Sequence, residues 1–128
     1  MLDPSRPAEG GSRPVAVEGE DAKLVTLARA TRARTGAEEG AAVRDSTGRT
    51  YTAGPVRLRA WRLSALQAAI AAAVASGADA LEAAAVVSAA EVADEPALGE
   101  LKCSALLIAD FSGRITAVRP CPSGGAAP

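Results

Sequence analysis

Histidine is absent from all 128 residues, and cysteine occurs only twice, at Cys103 and Cys121. Clustered imidazoles and thiolates build most transition-metal sites, and a disulfide framework needs several cysteines, so the composition argues against both. Aromatic side chains are scarce as well: Tyr51, Trp61 and Phe111 are the whole set, 2% of the chain. With hydrophobic residues at 48% a core is available, but Ala, Val, Leu and Ile must fill it. Such small side chains require elements that pack close together. An excess of one charge is missing too, since 14 basic and 15 acidic residues leave a net charge of -1. No global field steers the chain toward nucleic acid or anionic lipid. Nor is there a long apolar run at the start: Met1 to Glu20 is mainly Pro, Gly and charge, which suits neither a signal peptide nor a membrane span. The expectation is a cytoplasmic protein without membrane association.

The length accommodates one core. Residues 1–20 lack periodicity and are expected to form a disordered leader, residues 21–119 the domain and residues 120–128 a flexible tail. Asp21 to Thr35 has helical spacing, with Leu24, Leu27, Ala28 and Thr31 on one face, Asp21 as N-cap and Gly36 as stop. Two extended runs follow, Glu39 to Asp45 and Thr50 to Ala60, joined by the turn Asp45-Ser46-Thr47-Gly48. In the second run Val56, Leu58 and Ala60 alternate with Arg57, Arg59 and Trp61, and Pro55 marks an edge or bulge. Ser64 and Gln67 form a capping box opening a helix to Ser76, with a Leu66, Ile70, Ala73 and Val74 stripe, and Gly77 closes it. Ala83 to Ser88 and Ser104 to Asp110 read as buried strands, separated by a turn or so of helix at Glu95 to Glu100. Phe111-Ser112-Gly113 turns the chain into a last strand, Arg114 to Val118. This order predicts an α/β fold with a single mixed β-sheet flanked by helices, three layers or a reduced version of them, the third helix shortened.

Three stretches carry a family resemblance. Gly40-Ala41-Ala42-Val43 is a small-residue strand. Gly48-Arg49-Thr50-Tyr51 and Gly54 match the turn and the Y-x-G strand that follow it. Ser64-Ala65-Leu66-Gln67-Ala68-Ala69-Ile70 through Ser76-Gly77 matches a C-A-E-R-x-A-I helix with its glycine turn. In this order and spacing, from about Asp21 to Val118, the chain resembles the cytidine deaminase family. The resemblance implies a zinc held by the residue opening that helix and by two cysteines of a P-C-x-x-C segment, with the helix glutamate moving protons. Here Ser64 stands at the first ligand position, Leu66 at the glutamate position, and Ala97 and Glu100, after Pro96, at the two thiolate positions. Pro55-Val56-Arg57 replaces the ribose-reading N-x-E.

Serine is a poor zinc ligand, alanine is none, and one carboxylate makes no tetrahedral site, so no metal, cofactor or catalytic residue is expected. The reading is a non-catalytic interaction or binding protein. The alternatives are a nucleoside deaminase with an atypical site, and a small nucleotide or RNA binder using the Arg44 to Arg62 stretch. In that stretch Arg57, Arg59, Trp61 and Arg62 are the binding candidates, combining charge with a stacking surface; a solvated strand face is the competing reading. Cys103 and Cys121 lie nearly opposite one another about the Phe111 turn, where a bridge is conceivable and reduced thiols are the default. The alanine-rich helix lacks a charged face, which favours a homo-oligomer over burial within one chain, and the resemblance implies the same. A protein partner is the other candidate.

Overall fold

The computed structural model describes residues 19–121; most of the expected leader and all but two residues of the expected tail lie outside them. Among the described residues seven strands and three helices follow one another: α1 (Gly19–Thr35), β1 (Glu39–Asp45), β2 (Thr50–Ala53), β3 (Val56–Arg57), β4 (Arg62–Leu63), α2 (Ala65–Ala75), β5 (Leu81–Ser88), α3 (Pro96–Glu100), β6 (Ala105–Ala109) and β7 (Ile115–Pro120). The main sheet is five-stranded in the order β2-β1-β5-β6-β7, and β3 and β4 form a separate two-stranded ribbon. β5 and β6 pair in parallel, whereas the other ladders are antiparallel, so the sheet is mixed as the sequence predicts.

The central strands are buried on both faces, which is why they read as unbroken apolar runs. Alternate residues divide between two clusters. Ala42, Ala83, Ala85, Val87, Leu107 and Ala109 meet Leu24, Val25 and Ala28 of α1. On the other side Ala41, Val43, Ala84, Val86, Leu106 and Ile108 meet Leu66, Ala69, Ile70 and Ala73 of α2 together with Leu98 of α3. The result is three layers, with α1 on one face and α2 and α3 on the other. Small residues on the sheet let α1 approach very closely. A Cβ placed on Gly40 would lie 2.5 Å from the Ala28 carbonyl oxygen and 2.7 Å from the Arg32 nitrogen. Because these are backbone atoms, even alanine at this position forces the helix outward, at a cost of about 2 kcal/mol.

Polar contacts fasten α1 at both ends. Arg44 bonds Asp21 at 2.9 Å and Glu82 at 2.7 Å, and its guanidinium also reaches the Glu20 carbonyl. Near the other end, Arg32 lies 3.7 Å over the Phe111 ring, and Arg29 donates to the Phe111 carbonyl. Asp21 therefore sits inside the first helical turn, two residues beyond the start, and is not the N-cap expected of it. Its carboxylate answers Arg44 instead. Val25 takes the buried place expected of Leu27, which is 36% exposed.

One larger expectation fails. The extended run Thr50 to Ala60 breaks after Ala53, because Gly54-Pro55 interrupts it and Pro55 has no N–H for a ladder. Val56 and Arg57 turn away to pair with Leu63 and Arg62, and Leu58 is 49% exposed, so no apolar inner face continues through Leu58 and Ala60.

Both hairpin turns of the main sheet use one device. Asp45 Oδ1 accepts from the Thr47 N–H, the Thr47 hydroxyl and the Arg49 N–H; Asp110 Oδ1 accepts from the Ser112 N–H, the Ser112 hydroxyl and the Arg114 N–H. Gly48 and Gly113 supply φ of 92° and 90°, the left-handed conformation this three-residue turn requires. The pattern Asp-x-Ser/Thr-Gly-Arg occurs at each.

Asp45 is also bonded by the Tyr51 hydroxyl at 2.9 Å. These donors, the Thr47 side chain foremost, lower its carboxyl from 3.8 to about 2. A depressed folded-state value stabilises the protein above the unfolded value, and that stability is lost as pH falls through the folded one. Stability is therefore expected to decline between pH 3.8 and about 2. Chemical denaturation across that window should show a shallower decline for Asp45→Asn, and Tyr51→Phe should move the wild-type transition toward higher pH.

Candidate functional site

α2 begins where local chemistry dictates. The Ser64 hydroxyl accepts the Gln67 N–H at 3.0 Å, and the Gln67 side chain accepts the Ser64 N–H at 3.0 Å, completing the capping box. A third acceptor arrives from a distant part of the chain: the Glu39 carboxylate, at the start of β1, takes the Ala65 N–H at 2.6 Å. A negative charge here also complements the positive end of the helix dipole. The helix end is thus fixed against the sheet, and a cleft of about 250 Å³ opens beside it.

Glu39, Val86, Arg57, Ser64, Leu66 and Gln67 line one part of this cleft, and the segment Glu91 to Glu95 after β5 lines the rest. It lies at the C-terminal end of β5, where open α/β sheets commonly receive ligands. Leu66 and Val86 give it apolar wall, since both belong to the core cluster. Its charged lining is mostly acidic: Glu39, Glu91, Asp94 and Glu95 against Arg57. Arg57 is itself engaged by Glu38, with Nε at 3.0 Å and Nη2 also on the same oxygen. That hydrogen bond holds the Glu38 carboxyl below its ordinary value and the Arg57 guanidinium above its own. Glu38 also relieves the ribbon, in which Arg57 stands directly opposite Arg62.

The residues singled out from sequence fall in different places. Ser64 and Leu66 line the cleft, as does Arg57, whereas Ala97 is half-buried within α3 and Glu100, the last residue of that helix, is exposed. The α3 side chain that enters the core is Leu98, at 1% exposure. Arg59, Trp61 and Arg62 stand outside the cleft on the exposed ribbon. Arg44, counted in the same basic stretch, is withdrawn between Asp21 and Glu82 with 13% of its side chain exposed. The stretch is therefore not one patch. Sequence reasoning missed Glu39, Glu91, Asp94 and Glu95 as cleft residues. The run from Glu91 to Glu95 reads as turn-like and acidic, and only the return of the chain beside α2 gives it a place.

A zinc ion does not fit this set. The Ser64 hydroxyl is engaged by the helix cap, Leu66 and Ala97 carry no donor, and Glu100 is exposed. Among the described residues, no group of three or more His, Cys, Asp or Glu side chains is placed to hold a metal ion. Cys103 is buried 7% exposed and donates to the Ala105 carbonyl. It lies in the core cluster and does not line the cleft. No helix among the described residues is long and apolar enough to cross a membrane.

Comparison with solved structures finds cytidine deaminases of similar fold. The enzyme from Burkholderia pseudomallei aligns with a TM-score of 0.60 at 21% identity, covering 83% of this chain and 94% of its own. That from Mycobacterium tuberculosis gives 0.59 at 25% identity, covering 87% and 96%. That from Mycobacterium leprae gives 0.58 at 22%, covering 81% and 94%. No curated protein sequence matches significantly. The family model described as cytidine deaminase-like matches residues 17–113, three quarters or so of the chain and every element through the β6–β7 turn. On that match, and on the mixed sheet layered between α1 and α2, this chain belongs to the cytidine deaminase-like family.

Proposed function

We propose that this chain is a non-catalytic member of its family, a cytoplasmic binding or interaction protein that keeps the deaminase scaffold and cleft without the deaminase chemistry. The observation that carries this reading is Leu66. It occupies the position where the family resemblance calls for a proton-carrying glutamate, and it is 4% exposed within the core. Burying a leucine there contributes about 2 kcal/mol, which a glutamate at the same place would forfeit. Ser64 beside it is committed to the cap. Neither residue can move a proton or hold a metal in these roles, so attack of an activated water on a base has no apparatus here. The purified, tag-free protein is expected to carry no stoichiometric zinc and to form no uridine or deoxyuridine from cytidine or deoxycytidine. Stoichiometric zinc together with chelator-sensitive turnover would overturn the reading in favour of an atypical deaminase.

The outer surface of α2 supports a second copy of the chain as partner. Ala65, Leu66, Ala69, Ile70 and Ala73 face inward, whereas Ala71, Val74 and Ala75 are exposed, with Val74 at 49%. A helix without a single charge leaves an apolar face that is better covered than solvated. The ribbon offers a rival surface: Trp61 is 55% exposed, with Arg59 and Arg62 exposed beside it. Steeply salt-dependent binding of single-stranded RNA, lost in Arg59→Ala/Arg62→Ala, would assign that surface to a nucleic acid. Sedimentation of the tag-free protein should show concentration-dependent association that Val74→Glu weakens at least tenfold. A monomer at every concentration would remove the second copy from this account.

A further inference from the structure

The chain contains just two cysteines, and nothing in the cleft or the hairpin turns uses them. The topology nevertheless brings them together. Ala105 stands opposite Pro120 and Leu106 opposite Arg119 in the β6–β7 ladder. Cys103, shortly before β6, and Cys121, immediately after β7, therefore lie at one end of this hairpin. Both also turn to the same layer. Ala117 and Cys121 pack against the α2-side cluster of which Cys103 is a buried member. Cys103 reaches that layer through a bend in the backbone: Lys102 has φ of 59°, and the Cys103 N–H donates to the Leu98 carbonyl at 2.9 Å. The two thiols are unbridged.

We propose that Cys103 and Cys121 form a reversible intrachain disulfide, a redox staple that fastens the end of β7 to the junction between α3 and β6. The oxidant is a low-molecular-weight disulfide of the glutathione class. Cys121 is the more exposed thiol and reacts first. Its thiolate attacks one glutathione sulfur, giving a mixed disulfide and releasing one glutathione thiolate. The Cys103 thiolate then attacks the Cys121 sulfur, closing the intrachain bond and releasing the second glutathione thiolate. Both cysteine protons go to solvent base or to the departing thiolates. Two protein thiols are oxidised, and one glutathione disulfide is reduced to two thiols. Burial pushes the Cys103 thiol up to about 12 and raises Cys121 as well. Closure is therefore slow at neutral pH and faster in alkali, while the prevailing redox poise sets whether the pair is bridged at equilibrium.

The lock bears on the cleft through Arg119. This residue, two before Cys121, donates to the Val92 carbonyl at 2.8 Å and to Asp94 at 3.4 Å. Val92 and Asp94 belong to the cleft wall. Fastening the end of β7 holds Arg119 against that wall and steadies the acidic segment. The inference rests on the strand register and the shared layer, and it stands whether or not the cleft is catalytic.

The test uses the full chain equilibrated in glutathione buffers of graded redox poise at mildly alkaline pH, then quenched with an alkylating agent. Denaturing intact mass and peptide mapping should show a single-chain mass with neither cysteine alkylated and a Cys103–Cys121 cross-linked peptide. The oxidised form should unfold about 10 °C higher than the reduced form, and amides of Val92 to Asp94 should exchange more slowly. Cys121→Ser should abolish all of these changes, and Cys103→Ser should trap glutathione on Cys121. If Cys103→Ser fails to fold, the wild-type peptide map alone decides. Alkylation of both cysteines under the most oxidising buffer, retention of glutathione on wild-type Cys121, or an interchain bond would each overturn the proposal.

Discussion

Alanines on both faces of the central strands set how near every other element must come. Ala41, Ala42, Ala83, Ala84, Ala85 and Ala109 are buried at 3% exposure or less, and none projects far enough to support a helix held at a distance. α1 therefore settles almost onto the sheet, close enough that Gly40 has no room for a Cβ between Ala28 and Arg32. Well-packed interiors forfeit dispersion energy wherever a gap opens, so this approach follows from the lack of aromatic filler. It also makes the fastening of α1 by Arg44 and Arg32 consequential, because a small tilt of the helix would unseat the whole layer.

The same constraint governs the cleft. α2 lies over Ala41, Ala84 and Val86 with Leu66 and Ile70 inserted among them, and Leu98 from α3 closes the same cluster. Leu66, at the position where the family resemblance calls for a carboxylate, makes an apolar contact in this cluster. The scaffold around it persists. Ser64 still caps the helix, Glu39 still answers its first N–H, and a concavity remains between the helix and the Glu91 to Glu95 segment. With Leu66 packed in the core cluster, a glutamate in its place would exchange that apolar contact for a charge at a largely buried position, which costs free energy unless it is paired.

Legibility followed the range of the interactions involved. The Ser64–Gln67 box and the Gly77 stop are encoded within a few residues, and α2 stands where they place it. β1 has the bounds its sequence suggests, because the Asp45 turn specifies its end. The Thr50 to Ala60 run misled because alternation continues through Gly54-Pro55, and only the missing donor of Pro55 reveals the break. Arg57 and Arg59 consequently do not share a strand face. β4 is two residues long and pairs only through the ribbon, so no periodicity could announce it. Glu39 and the acidic segment converge on the cleft through long-range folding, which single-residue chemistry does not express. The repeated Asp-x-Ser/Thr-Gly-Arg pattern is a local signal that marks both hairpins of the main sheet.

If apolar packing has taken over the role of a metal, the fold must be indifferent to metal. The unfolding midpoint in chemical denaturant provides the most direct measure, taken on the tag-free protein after exhaustive treatment with a strong chelator and again with excess zinc restored. A site that bound zinc in the folded state alone would raise stability by several kcal/mol at saturating metal. The account predicts coincident unfolding curves with unchanged midpoint and slope. A midpoint that falls with chelator and recovers with zinc would contradict it.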